Sequence, residues 1–356
     1  MKLGPHAGAA LSVSAALIGG VVTAAVPLQG QHPPARLAQF LSQAIGLDSA
    51  QVVTMERGTA VVKVLETPVK RDVAVFGIIS VDVPREVYVG RVRDVATSLR
   101  TPTRTRFGIF SDPATMRDVQ DIAIDVEDVR DLKECHPGKC DWKLPATEMQ
   151  RIRQEIDWAA ADPRAQVSAY AQRRMVDYVT DYRARGDSAL VVYADVGHVR
   201  ASDAFAALLA QSPYLYEYVA PLHRHLASYP HDTLAGASDV LFWSVDALRG
   251  LKPILSITHL SLYTPPDSSG MTAVAAKQIY ADHYFEAALE LVAVVDRPTA
   301  GAKRGSYLIL VRRFRFDDLP SGGLINIRGK VVGKLRDQIR ADLEREKATS
   351  ERALER

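Results

Sequence analysis

The hydrophobic period of the chain changes near Asp239, and this change limits the possible folds more than any other pattern in the sequence. Before it, residues 146–229 carry apolar side chains at helical spacing. After it, apolar and polar side chains alternate in five consecutive stretches, which are Val240–Val245, Lys252–Tyr263, Thr272–His283, Phe285–Val295 and Ser306–Phe316. A period of two is typical of strands with one buried face. Consecutive strands with short links predict an antiparallel meander.

A long helix is predicted to follow the meander and to complete the segment 239–347. Its apolar stripe, within residues 328–347, consists of Val332, Leu335, Ile339 and Leu343. Gly329 and Gly333 lie one turn apart, so we expect the helix backbone to lie close to the sheet there. The predicted fold class is α+β, with a curved antiparallel sheet packed on a long C-terminal helix and with a central helical block.

The N-terminal half mixes helix and strand patterns. Residues 35–46 predict a short amphipathic helix, and Pro84 is expected to open another. The strand patterns in this half are Ala60–Leu65, Asp72–Val81, Thr105–Phe110 and Ile122–Val126. The resulting division is a signal peptide at 1–25, an N-terminal helix and linker strand at 26–71, an α+β body at 72–347 and a frayed tail at 348–356.

The N-terminus has the pattern of a secretory signal peptide. Lys2 precedes an uncharged stretch, Ala7–Val26, which closes with the small residues Ala24 and Ala25. A charged start, an apolar middle and a small-residue exit predict a cleaved signal, and hence a secreted or periplasmic protein. An uncleaved membrane anchor is the alternative, because about twenty apolar residues can span a bilayer. An ordinary buried helix is a third reading.

Two cysteines, Cys135 and Cys140, flank a Pro137-Gly138 turn. In an oxidising compartment this spacing predicts a disulfide that closes a tight loop. Free thiols and a redox or metal role are the alternatives. A haem attachment would need Cys-x-x-Cys-His, which this loop lacks.

Composition and motifs exclude several classes of protein. The net charge of +2, with 47% apolar and 24% charged residues, fits a globular protein rather than a nucleic-acid binder. The chain contains neither Gly-x-Ser-x-Gly nor His-Glu-x-x-His, and it has no phosphate-binding glycine loop. We therefore expect no cofactor, no nucleic-acid partner and no catalytic residue of those classes.

The order of helices, antiparallel meander and terminal helix is similar to the helix-grip fold of START-like proteins. The resemblance covers about residues 72–347 and depends mainly on 239–347. It implies an apolar cavity between the sheet and the C-terminal helix. Three segments, 212–215, 250–253 and 277–285, also resemble a family of uncharacterised secreted bacterial proteins, which brings no established chemistry.

Five side chains of the meander are candidate ligand contacts at such a cavity: Trp243, His259, Tyr263, Tyr280 and His283. Lys277 is a candidate charge partner. Strict alternation would place Lys277 and His283 on one face of the sheet and Tyr280 on the other, so only one set would line a pocket. The alternative is that these are structural histidines and tyrosines with partners inside the protein.

No metal site is predicted. His223, His225 and His231 resemble a cluster, but residues two apart diverge on a helix. The acidic run of Asp125, Glu127, Asp128 and Asp131 lacks the glycine of a calcium loop and reads as a solvated face. Arg312, Arg313 and Arg315 read as a charged outer strand face, with contact to anionic lipid at a membrane surface as the alternative.

The leading functional hypothesis is an exported protein that holds an apolar or amphipathic small molecule, such as a lipid, between the sheet and the C-terminal helix. A cavity enzyme with His259 or His283 as acid or base is the first alternative. An envelope module that binds another protein through its sheet face is the second. The sequence does not predict an oligomeric state.

Overall fold

A large antiparallel sheet organises the computed structural model, which describes residues 33–247, 251–266, 270–298, 304–319 and 326–354. The strands are β1 (Val61–Leu65), β2 (Asp72–Val81), β3 (Arg104–Ile109), β4 (Val192–Tyr193), β5 (Val199–Arg200), β6 (Ala237–Asp246), β7 (Ile254–Tyr263), β8 (Met271–Ala281), β9 (Phe285–Arg297) and β10 (Gly305–Phe316). The predicted signal peptide, residues 1–25, lies outside the described residues.

Helices cover both faces of this sheet. They are α1 (Ala35–Gln39), α2 (Ser49–Glu56), α3 (Arg85–Arg93), α4 (Val95–Ser98), α5 (Val126–Glu134), α6 (Ala146–Glu155), α7 (Pro163–Arg185), α8 (Ala201–Ala210), α9 (Pro213–Tyr218), α10 (Ala220–Ser228) and α11 (Ile327–Leu354). A wider turn, Phe40–Ala44, extends α1. None of the helices within the described ranges combines the length and apolar character needed to cross a membrane.

The main sheet contains eight of the described strands in the order β1-β2-β10-β9-β8-β7-β6-β3. Its curved antiparallel meander from β6 to β10 confirms the fold predicted from the period of two. The N-terminal hairpin β1–β2 joins the last strand, with Gly77 of β2 opposite Leu310 of β10. All ten residues of β2 are buried, because this strand has neighbours on both edges and helices on both faces.

One face of the sheet packs against α11 and α3. Ile339 and Leu343 of α11 lie against the β2 and β10 side chains of that face. The close approach occurs at Gly77 of β2, where an added Cβ would lie 2.5 Å from Cγ2 of Ile339. The predicted contact through Gly329 and Gly333 is therefore wrong: Gly333 faces open space, and a Cβ on Gly329 would meet Asn326.

The other face carries the helical block. Tyr307 and Ile309 of β10 pack there among α8, α9 and α10, whereas Leu308 and Leu310 pack toward α11. Toward β6 and β7 the same face packs against α5, α6 and α7, with Trp243 in the centre of that cluster. The sheet is thus the middle of three layers.

Two predicted elements differ in the structure. Ile122–Val126 is not a strand, because side chains of α7 satisfy its backbone: Gln172 donates to the Ile122 carbonyl at 2.8 Å, and the Ile124 amide donates to Ser168 at 3.0 Å. The predicted frayed tail is also wrong for 348–354, which continue α11. Arg91 of α3 anchors that end of α11 by hydrogen bonds to Glu346 and Ser350.

The three arginines of β10 do not form a charged outer face. Arg312 pairs with Glu290 of β9 and with Asp342 of α11. Arg313 donates to the hydroxyl of Tyr214 at 3.0 Å. Arg315 donates two hydrogen bonds of 2.8 Å to Asp72. The partners of these arginines therefore come from the neighbouring strands β2 and β9 and from the helices α9 and α11 that cover the two faces.

Candidate functional site

A groove with a volume of about 360 Å³ lies on the α11 side of the sheet, between the α3–α4 segment and strands β6 and β7. Its lining residues are Val92, Arg93, Val95, Gly236, Ala237, Ser238, Val240, Leu260, Leu262 and Thr264. No residue of α11 is among them. The resemblance implied a cavity between the sheet and the terminal helix. The groove lies over β6 and β7 instead, because α11 packs tightly on β2 and β10 over Gly77.

The local sequence explains how the groove is walled. The helix α3 ends at Arg93, and Asp94 then caps α4 by accepting a hydrogen bond of 3.2 Å from the Thr97 amide. This break turns Val92 and Val95 toward the sheet as the outer wall. The alternation of β6 and β7 supplies an apolar floor from the strand face opposite the helical block.

Arg93 is the sole ionisable side chain among these lining residues. It is exposed, and it makes no ion pair or hydrogen bond with any described residue. The remaining polar groups are the hydroxyls of Ser238 and Thr264. A mostly apolar groove with one cation at its edge is suited to an apolar molecule with an anionic end.

None of the five predicted ligand-contact residues lines this groove. Trp243, His259 and Tyr263 lie on the opposite face of the sheet, toward the helical block. The Trp243 indole donates to the Asp118 carbonyl at 2.7 Å. Each of these side chains has partners inside the protein.

His259 belongs to a network centred on Asp239. Asp239 Oδ1 lies 3.0 Å from Nε2 of both His225 and His259, and it accepts a hydrogen bond of 2.6 Å from Ser261. The Tyr182 hydroxyl lies 2.9 Å from Nδ1 of His259. His225 is thus paired with a carboxylate of β6 and not with His223 or His231.

The protonation of this network follows from its partners. Nδ1 of His225 lies 3.1 Å from the Asp232 carbonyl, which can only accept, so both nitrogens of His225 donate. The hydrogen bond to Asp239 accordingly raises the pKa of His225. Burial lowers the pKa of His259, so this imidazole is neutral. Its Nδ1 accepts a hydrogen bond from the Tyr182 hydroxyl. Burial opposes ionisation of Asp239, but its hydrogen bonds from both histidines lower its pKa overall.

Tyr280 and Lys277 both face the helical block, contrary to the strict alternation predicted for β8. A β-bulge at Ile279 pairs Gln278 with Thr258 and Tyr280 with Ile257, which leaves one extra residue on β8. This shift returns Tyr280 to the face of Lys277. Lys277 is fully buried and is paired with Asp187, and Tyr280 donates to the Lys143 carbonyl at 3.2 Å.

His283 lies outside the groove as well, in the turn after β8. Its neighbours are Asp282 of the same turn and Asp128 of α5, and all three residues are buried. Burial raises the pKa of Asp282 to about 7. The prediction of a solvated acidic run is therefore wrong for Asp128, because α5 turns this carboxylate toward the β8–β9 turn.

Cys135 and Cys140 form the predicted disulfide at the end of α5. The loop that it closes contains a short antiparallel bridge between His136 and Lys139. Asp141, directly after Cys140, contacts both His283 and Lys252. The disulfide thus holds a loop that supplies partners to the β8–β9 turn.

Sequence reasoning missed Arg93 and Asp239. Asp239 shares its strand face with Leu241 and Trp243, so an ionisable residue on the apolar face of an alternating strand was the available indication, although Asp239 itself lies at the exposed end of β6. No sequence pattern indicates Arg93, because its place at the edge of the groove depends on the tertiary contact between α3–α4 and strands β6 and β7.

No family model matches this chain, and no curated protein matches it. Among solved structures, the chain is similar to the Zhui aromatase/cyclase from Streptomyces sp. R1128, with 12% sequence identity and a TM-score of 0.22. That match covers 39% of this chain and 86% of the other.

Proposed function

We propose that this chain is a binding protein for a small amphipathic molecule with an anionic end, held in the groove between α3–α4 and β6–β7. The observation that carries the proposal is Arg93, an exposed cation that lies at the edge of an apolar groove and has no partner among the residues the structure describes. The groove volume of about 360 Å³ lies in the lower part of the range for small-molecule sites. A fatty acid is the simplest ligand of this kind.

Export of the protein is part of the proposal. The N-terminal pattern from Lys2 to Ala25 supports it, and so does the disulfide between Cys135 and Cys140, since such bonds persist in oxidising compartments. The resemblance to uncharacterised secreted bacterial proteins points in the same direction. A binding protein of this kind would carry or store its ligand outside the cytoplasm.

The groove itself favours binding over acid–base catalysis. Such catalysis needs a proton donor or acceptor within reach of the substrate, and the only ionisable group among the described lining residues is the guanidinium of Arg93. His259 and His283 lie elsewhere, in buried networks. The protein-interaction alternative remains a prediction without a specific observation in its favour.

Titration of the full-length mature protein with a fluorescent fatty acid tests the proposal. Leu260→Trp fills the groove floor and should abolish binding, whereas Val196→Trp adds the same side chain at a site that is 78% exposed and should not. Arg93→Gln should weaken binding by about three- to fivefold, as expected for a partly exposed charge pair. Arg57→Gln is its charge-matched control, because Arg57 is exposed and lies outside the groove lining.

Native mass spectrometry of the exported protein, with extraction of any co-purified lipid, identifies the natural ligand. Absence of fatty-acid binding by the wild type, or equal binding by Leu260→Trp, would contradict the proposal.

A further inference from the structure

Three buried side chains with metal-ligating atoms meet where α5 contacts the β8–β9 turn. They are Asp128, Asp282 and His283, and one ligating atom from each lies within 4.8 Å of the others. Asp282 is 2% exposed and His283 is 3% exposed. The cluster is separate from the groove, since none of the three lines it.

The imidazole of His283 is oriented by a backbone carbonyl. Its Nδ1 lies 3.0 Å from the carbonyl oxygen of Asp141, which can only accept, so Nδ1 carries a proton. Nε2 then points at the two carboxylates. It is buried and forms no hydrogen bond within the described structure. A histidine whose Nδ1 donates to a carbonyl while Nε2 faces carboxylates has the arrangement of a metal ligand.

The distances fit ligation better than hydrogen bonding. Nε2 of His283 lies 3.5 Å from Asp128 Oδ1 and 3.9 Å from Asp282 Oδ2. Both separations exceed hydrogen-bonding distance. Ligands bound at about 2.0–2.2 Å around a tetrahedral ion are separated by roughly 3.4 Å. The separation between His283 and Asp128 already matches this value, and a small inward movement of the Asp282 carboxylate would bring its oxygen to the same distance from His283.

A small cavity lies beside the two carboxylates, Asp128 and Asp282. Its volume is about 20 Å³, and Asp128, Asp282 and Trp142 are among its lining residues. This volume admits one ion or one water molecule. The Trp142 indole nitrogen is buried there, makes no hydrogen bond of normal geometry in the described structure, and faces the Asp282 carboxylate.

The local charge also favours a cation. Lys252 is the ammonium group next to Asp128, at 3.4 Å, but it also contacts Asp131 at 2.6 Å and Asp141 at 3.0 Å. One ammonium thus faces three carboxylates, of which only Asp128 is buried, and Arg106 also lines the small cavity. A divalent ion would offset the charge of Asp128 and Asp282, the two buried carboxylates of the cluster, because buried carboxylates without a full partner are costly.

We propose that Asp128, Asp282 and His283 form a divalent transition-metal site, with zinc as its ion. One imidazole and two carboxylates suit zinc better than calcium or magnesium, which prefer oxygen ligands alone. The site joins α5 to the β8–β9 turn and has a structural role. It departs from the sequence analysis, which predicted no metal, and it does not depend on the proposed function.

The test is zinc binding by the full-length, disulfide-bonded protein, measured by calorimetry and by metal analysis after dialysis. We expect about one zinc ion per chain and a rise in Tm on zinc addition. Asp128→Asn should weaken zinc binding by about tenfold or more. Asp131→Asn changes an equivalent carboxylate one turn along α5, outside the three ligands, and should retain the ion.

His225→Gln separates this site from the network at Asp239, which also contains two histidines and a carboxylate. Zinc binding that survives His225→Gln and is lost in Asp128→Asn supports the proposal, and the reverse pattern overturns it. Nitrogen NMR of the wild-type histidine rings needs no variant: zinc should shift Nε2 of His283 to the position of a metal-bound nitrogen. A wild type that binds no zinc, with Nε2 of His283 protonated, also overturns the proposal.

Discussion

Replacing Gly77 by alanine should destabilise the protein, although this substitution usually stabilises a strand. Gly77 lies in the middle of β2 beneath α11. Its φ is not in the left-handed region, so an alanine meets no backbone strain there. In such a position, alanine would ordinarily stabilise by about 0.4–1 kcal/mol, since it restricts the unfolded chain. The sign of the effect therefore tests the packing itself.

The cost follows from two contacts. The added Cβ would lie 2.5 Å from Cγ2 of Ile339 and 2.8 Å from Cδ1 of Leu343. Carbon atoms pack at about 3.5–4.0 Å, so α11 must retreat by about 1 Å or both side chains must leave their rotamers. Overpacking of this kind costs about 1–3 kcal/mol. The net expectation is a loss of about 1–2 kcal/mol in the free energy of unfolding.

Urea denaturation followed by circular dichroism measures this loss. Gly333→Ala is the matched control, because no atom lies within 4 Å of the Cβ it would add to α11, and it should stabilise by up to about 1 kcal/mol. Ile339→Ala removes one clashing atom, so its combination with Gly77→Ala should cost less than the sum of the single changes. A Gly77→Ala protein as stable as the wild type, or strict additivity of the pair, would refute the reasoning.

Two further predictions concern buried charges. Hydrogen bonding to Asp239 raises the pKa of His225. The contribution of this hydrogen bond to the free energy of unfolding is therefore fully present below about pH 6.5, and it is lost as the pH rises through the raised pKa of the folded state. His225→Gln should therefore destabilise by about 1–2 kcal/mol at pH 5.5 and by less at pH 8.5, and equal losses at both pH values in urea titrations would contradict this. Asp72 is fully buried and accepts two hydrogen bonds from Arg315, so Asp72→Ala should cost about 3–5 kcal/mol. Arg151→Ala removes an exposed arginine from its pair with Glu148, which keeps Arg174 and Tyr170 as partners, and should cost about 0–1 kcal/mol. Similar Tm values for the two variants would count against the prediction.

The meander and the terminal helix could be predicted because their patterns are local. Alternation along β10 assigns Tyr307 and Leu308 to opposite faces, and both lie where it places them. The same rule failed at Tyr280, since the bulge at Ile279 inserts a residue without any mark in the sequence. It also failed at Ile122–Val126, where side chains of α7 replace a neighbouring strand as hydrogen-bond partners.

The sites were harder to predict because their members are far apart in the chain. In the sequence, Asp128 is part of an acidic run that is typical of a surface. Its burial follows from the contact of α5 with His283, which lies more than one hundred and fifty residues later in the chain. The groove depends on Val92 and Arg93 meeting β6 and β7, a contact between segments without a shared motif. Burial of a charged residue is set by its tertiary partner, which periodicity alone does not reveal.

The pairing of β2 with β10 determines when the molecule can fold. Synthesis starts at the N-terminus, so β2 is complete long before β10, its neighbour in the finished sheet, has been made. A lone hairpin of β1 and β2 is at best marginally stable in water, and pairing across most of the chain is slow. The nascent chain therefore has to be kept from aggregating until translation ends, and any fragment that stops before Gly305 exposes unpaired edges of both β2 and β9.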